Sequence, residues 1–203
     1  MFSPKDAELE RGWPGRVDGD AVVQLAAQTL QVFFTAGGAL REHAVYQLAD
    51  VDLRAPVLYP LAIRVFDGDG FAFGNTAMVR GPEEEIAWPD GTDEVQTGPA
   101  VVAVIGADGA IGGYTGANMW TAPGLLGAKQ NDFALSVGPV LVTADEYDAD
   151  PEWERRRALA AHNTVLRPGD LLVAPYAAGD PVSRGETVEI DVPAIGVLRN
   201  RIA

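Results

Sequence analysis

Lysine is scarce in this chain: Lys5 and Lys129 are the only two in 203 residues, and Lys129 stands three residues before Asp132 in GAKQNDFALSVGP. A lysine beside a carboxylate can hold a substrate carboxylate or enolate, or it can simply close an ion pair. The two histidines, His43 and His162, read as structural, with His162 at the end of a predicted helix where an imidazolium complements the macrodipole. No cysteine is present, which excludes disulfides, thiolate metal sites and cysteine nucleophiles together. The three serines, Ser3, Ser136 and Ser183, lie outside any Gly-x-Ser-x-Gly motif, so a nucleophile-elbow hydrolase has no support.

Hard cations need clustered carboxylates, and the chain has two acidic stretches. Glu83, Glu84 and Glu85 with Asp90, Asp93 and Glu94 fall in turn-rich sequence, which reads as a solvated loop although it could face Mg²⁺ or Ca²⁺. Asp145, Glu146, Asp148, Asp150, Glu152 and Glu154 lack the loop glycine and spacing of an EF-hand and read as helix-start electrostatics. The glycine-rich run from Gly106 to Gly113 follows a strand but lacks a phosphate-binding register, so it reads as a hairpin turn.

The elements that must position these groups are mostly strands. With 47% hydrophobic and 22% charged residues the chain has the composition of a folded protein. Its formal charge of −14 repels phosphate backbones and anionic membrane surfaces, so neither nucleic acid nor a membrane is an expected partner. The start MFSPKDAELERGW has no apolar leader core and no stretch reaches the roughly 20 apolar residues of a membrane span, which points to the cytoplasm. Residues 1–60 read as a small N-terminal α+β lobe and linker. RVDGDAVVQLAA forms two strands about Asp18-Gly19, a helix runs over 29–40, and a strand in VDLRAPVLYP leads to a boundary near Pro60. Residues 61–203 read as a β-rich domain with strands at 61–66, 71–79, 100–106, 138–146, 170–176, 186–192 and 196–200. One helix is expected over 151–162, with Asp150 as N-cap and Pro151 at its first position.

In this order, GPEEEIAWPDGTDEVQTGPAVVAVIG, GGYTGAN, GAKQNDFALSVGPVLVTADE, LRPGDLLVAPYAAG and GETVEIDVPAIGVLRN resemble the fumarylacetoacetate hydrolase family. VDGDAVVQLAA and LADVDLRAPV resemble that family's small N-terminal lobe and linker, so the likeness spans most of the chain. The resemblance implies a β-rich α+β fold, a mixed β-sandwich roll behind a small lobe. It also implies a homodimer and Mg²⁺- or Mn²⁺-dependent cleavage, decarboxylation or isomerisation of oxo-acids.

The same resemblance shows what is missing. The family's Glu-x-Glu ligand pair falls without gaps on Gly98 and Ala100, and its aspartate falls on Met119. None offers an anionic oxygen, so no metal ligand is assigned and no cofactor is expected. Glu94 and Asp93 are the nearest substitutes. The family's histidine has no counterpart in RVFDGDGFAFGN, and the TGTPAG substrate loop reads Ala174 to Gly179, with Ala174 and Tyr176 in place of its threonines. The family's lysine falls on Lys129 in one register and on Asn131 in another.

These residues imply a fumarylacetoacetate-hydrolase-like protein without its metal site: a noncatalytic homologue, a ligand-binding module or a partner subunit. Met119, Trp120 and Ala174 would line a residual pocket for a small carboxylate or apolar ligand. The partner would be a second copy or an intact family member. The alternative is an enzyme acting on an oxo-acid by C–C hydrolysis, decarboxylation or tautomerisation, metal-free or with displaced ligands. There Lys129 would be the electrostatic clamp and Asp132 or Tyr176 would move the proton.

Overall fold

The computed structural model describes residues 1–7 and 9–203. The first part of the chain forms strands β1 (Phe2–Pro4), β2 (Gly15–Asp18) and β3 (Ala21–Leu25), helix α1 (Leu30–Thr35), then β4 (Glu42–Gln47) and β5 (Val51–Leu53). Strands β2, β3 and β4 make one antiparallel sheet and β1 pairs with β5. Phe2, Val22 and Val51 close a small core between them, with Trp13 and Tyr46 against it. Helix α1 is shorter than the expected 29–40. Thr29 caps it by accepting from the Val32 N–H, and Gly37 and Gly38 both take positive φ, which turns the chain out of the helix.

The remaining strands are β6 (Ile63–Asp67), β7 (Gly70–Gly74), β8 (Val79–Arg80), β9 (Val95–Gln96), β10 (Pro99–Ile105), β11 (Ile111–Met119), β12 (Leu135–Thr143), β13 (Leu171–Pro175), β14 (Pro181–Val182), β15 (Thr187–Val192) and β16 (Gly196–Arg201). Seven of them form one mixed sheet in the order β7-β6-β13-β10-β11-β12-β8. The β13–β6 and β12–β8 pairs are parallel and the others antiparallel. Alternating side chains fill two cores on opposite faces of this sheet. Ala100, Val102, Val104, Ala117, Leu171 and Val173 face one, which α1 closes with Phe34. Ala103, Ile105, Tyr114, Leu172 and Ala174 face the other. That core is covered by the β15–β16 hairpin and by helix α2 (Glu152–Ala161), which contributes Trp153 and Ala160. The result is the expected β-rich α+β roll of mixed sheet.

Three expectations shift. The run 71–79 is not one strand: Asn75 ends β7 by accepting from the Ala77 N–H, and a short 3-10 turn separates it from β8. The strand expected over 138–146 begins earlier, at Leu135, because Leu135 and Val137 alternate into the core ahead of the cis Gly138–Pro139 bond. The strand expected in VDLRAPVLYP stops at Leu53, before Pro56 and Pro60. Helix α2 starts as expected, since Pro151 is helical (φ −52°, ψ −23°) and Asp150 Oδ1 accepts from the Glu152 N–H at 2.8 Å. The glycine-rich run is the β10–β11 turn. Among the described residues no helix is long and apolar enough to cross a membrane.

Candidate functional site

Gly98 leads into β10 and Met119 ends β11, and the pairing of Pro99 with Asn118 and Ala100 with Ala117 brings them side by side. Gly98 O accepts from the Met119 N–H at 2.8 Å, and Asn118 Oδ1 accepts from the Gly98 N–H at 2.6 Å. Asn118 is almost fully buried, so its amide acts as an internal clip on the chain entering β10. The approach is so close that a Cβ built on Gly98 would lie 2.2 Å from Met119 O. Ala100 is sealed in the apolar core with Met78, Val79 and Leu135, and Met119 packs against that core.

These three positions do not fit a divalent cation. They present no anionic oxygen, Gly98 has no room for a side chain, and the neighbouring core is apolar. Nor do Asp93 and Glu94 take their place. Both are exposed in the turn before β9, where Glu94 accepts from Gln96 Nε2 at 2.7 Å. Among the described residues no three His, Cys, Asp or Glu side chains converge as a metal site.

The other candidate residues fall in three places. Lys129 lies on a 3-10 turn (Gly127–Gln130) with its side chain 74% exposed, and its Nζ reaches Asp132 Oδ2 at 2.9 Å. Trp120 is fully buried on the far side of the sheet from Met119, where its Nε1–H donates to Ser136 Oγ at 2.9 Å. Ala174 sits opposite Val101 on that same face. Met119 is therefore separated by the sheet from Trp120 and Ala174, and the three do not line one pocket.

Tyr176, just past β13, borders an open groove of about 380 Å³ between the start of β10 and strand β15. Asp180, Glu186, Glu189 and Asp191 also line it, and Lys129 does not. Partial burial, then the Asp191 charge, pushes the Tyr176 phenol up from its ordinary value, so at neutral pH it is a proton donor and not a base. Its hydroxyl points to Asp191 O at 3.4 Å. Four carboxylates around the groove oppose the entry of an anionic oxo-acid.

Sequence reading missed a buried ion pair. Arg64 on β6 and Asp170 before β13 are 5% and 2% exposed, with Arg64 Nη1 at 3.3 Å from Asp170 Oδ2. Asp170 Oδ2 also accepts from the Arg167 N–H, and the guanidinium lies under the Phe71 and Phe73 rings. An arginine inside the apolar run LAIRVF was the available signal.

Neither a family model nor a curated protein matches the sequence. Solved structures do. Maleylpyruvate hydrolase from Sphingobium sp. SYK-6, in complex with manganese (II) ion and pyruvate, superposes at TM-score 0.74 with 19% identity over 95% of this chain and 96% of that one. The 5-carboxymethyl-2-hydroxymuconate delta-isomerase from Mycobacterium smegmatis gives 0.74 with 21% identity over 100% and 97%. A 2-keto-3-deoxy-D-arabinonate dehydratase complexed with magnesium and 2,5-dioxopentanoate gives 0.75 with 16% identity over 96% of each chain. At such identities the likeness carries the fold and leaves the chemistry to the residues present. The chain has the fold of the fumarylacetoacetate hydrolase family.

Proposed function

We propose that this chain is a noncatalytic homologue on the fumarylacetoacetate hydrolase fold. It would work without a divalent cation, as a ligand-binding module or as a subunit partnered by its own copy or by an intact relative. The observation that carries this reading is the contact at Gly98, where backbone occupies the space that a ligand side chain would need. We retain the division into residues 1–60 and 61–203 as part of the proposal. Phe34 of α1 nevertheless packs into the core of the large sheet, which couples the first part of the chain to it.

The rival reading is an oxo-acid enzyme that uses Lys129, Asp132 and Tyr176. It requires the three groups at one ligand, whereas Lys129 and Asp132 pair with each other and neither lines the Tyr176 groove. The discriminating experiment incubates the protein with maleylpyruvate and with 5-carboxymethyl-2-hydroxymuconate, each with excess Mn²⁺ or Mg²⁺. The expected result is no turnover above the buffer rate. Turnover that disappears in Lys129→Ala or Tyr176→Phe would establish the rival.

A further inference from the structure

The β15–β16 hairpin is a two-stranded sheet, so β15 pairs with β16 on one side and with no strand on the other. Its alternation is fixed at both ends. Ile202 N–H donates to Glu186 O at 2.9 Å, and Val192 O accepts from the Ile195 N–H in the turn. Hydrogen-bonded pairs alternate along an antiparallel ladder, so the peptide groups of Val188 and Ile190 address β16 and those of Thr187, Glu189 and Asp191 point away from it. Among the described residues those outward groups have one partner, the Tyr176 hydroxyl, which donates to Asp191 O at 3.4 Å.

This outward edge borders the groove of about 380 Å³. Residues 186–191 form one side of it, and Thr97, Pro99, Tyr176, Asp180, Pro181 and Val182 supply the rest. Among the described residues no part of β16 and no lysine, arginine or histidine lines it. Thr187, Glu189 and Asp191 are exposed, whereas Val188 and Ile190 are buried. Arg199 neutralises Glu189, but Asp180, Glu186 and Asp191 have no cationic partner among the described residues. Glu186 accepts only the neutral Ser183 N–H, at 2.7 Å. Two further arginines at this end are engaged elsewhere: Arg201 on Glu85, and Arg184 over the Trp88 ring.

We propose that the groove takes a short extended basic segment of another protein, added to β15 as a third strand. An unpaired strand edge binds an extended chain through main-chain hydrogen bonds, and alternate side chains give the specificity. The N–H and C=O of Thr187 and Glu189 and the N–H of Asp191 are open to such a strand, while Tyr176 closes the far end on Asp191 O. Side chains of the added strand on the face of Glu189 and Asp191 are lysine or arginine, and those on the face of Val188 and Ile190 are apolar. The same acids turn away a second copy, which would set its own Glu189 and Asp191 against them, so the edge is blunted toward its like and open to the opposite charge. The formal charge of −14 draws a cationic segment in from a distance. The inference holds whether or not the chain is catalytic.

Fluorescence anisotropy with labelled acetyl-Lys-Val-Lys-Val-Lys-amide at low salt tests it on the intact chain. The expected result is saturable one-to-one binding, absent for the peptide with glutamate in place of lysine. N-methylation of either the lysine or the valine amides separates strand addition from charge attraction, because it removes main-chain donors and keeps every lysine. One of these two sets should weaken binding by about tenfold. Asp191→Asn combined with Glu186→Gln should weaken it by a similar factor and flatten its salt dependence. Thr187→Pro removes an outward N–H and no bond to β16, and should weaken binding with an unchanged circular dichroism spectrum; the N-methylated peptides put the same question to the unmodified chain. No saturation up to about 1 mM peptide would overturn the proposal. So would equal affinity for the parent peptide and both N-methylated ones, which is attraction by charge alone. Spermine binding as tightly as the peptide would assign the groove to a free amine and overturn it as well.

Discussion

Replacing Gly98 by alanine tests the geometry that excludes the cation. The added Cβ would stand 2.2 Å from Met119 O and 3.4 Å from Met119 Cβ, against an ordinary contact of about 3.5 Å. The nearest atom is backbone in a paired strand, so no side chain can swing aside and the segment must move by about 1 Å. That movement breaks the Asn118 Oδ1 bond to the Gly98 N–H and the Gly98 O bond to the Met119 N–H. Two such bonds are worth about 1 kcal/mol each, and stranding the buried Asn118 oxygen adds about 1 to 2 kcal/mol. The sum is about 3 kcal/mol, read as a fall of about 1 M in the urea midpoint at unchanged slope. Gly70→Ala is the control, because a Cβ there meets nothing within 4 Å, and it should leave the midpoint within about 0.5 kcal/mol. A Gly98→Ala midpoint equal to that of the control would refute the close approach and reopen the position to a ligand side chain.

Asp170→Asn should destabilise by about 3 kcal/mol, since it leaves the buried Arg64 charge uncompensated, and Arg64→Met in the same chain should restore part of the loss in urea melts. Lys129→Ala should change stability by less than about 0.5 kcal/mol, because the pair it breaks is solvent-exposed; a larger loss would mean the lysine supports more than its partner. Burial pushes the Tyr114 phenol up from 10 to about 12. The folded chain holds that proton more tightly than the unfolded one. Its contribution is therefore complete below pH 10 and lost as pH rises toward 12, which thermal melts followed with absorbance at 295 nm should register.

Much of the fold was legible because alternation survives in sequence. AVVAVIG and DLLVAPY place every second residue in one of two cores, and these two strands stand within a residue of the pattern. Positions 135–143 were harder to place, because burial begins before the glycine-proline pair that looks like a strand start. The resemblance held for residues whose role is internal bonding. Asn118 clips Gly98, and Asn200 Nδ2 donates to Gly81 O and Glu84 O. The candidate site was less legible, since it depends on which face each residue takes. Met119 and Trp120 are neighbours in sequence on opposite sides of a sheet, and the carboxylates bordering Tyr176 come from β15 and the segment before it. Spacing along the chain carries none of that.

The central claim, that no divalent cation belongs to this chain, is tested most directly by titrating the protein with Mn²⁺ in a calorimeter and repeating the thermal melt at saturation. The account predicts no stoichiometric heat and an unmoved Tm. A cation at a hundred times its Kd would add about 2.7 kcal/mol of stability. One-to-one binding at micromolar affinity, with the matching rise in Tm and its loss in Asp93→Ala or Glu94→Ala, would contradict it.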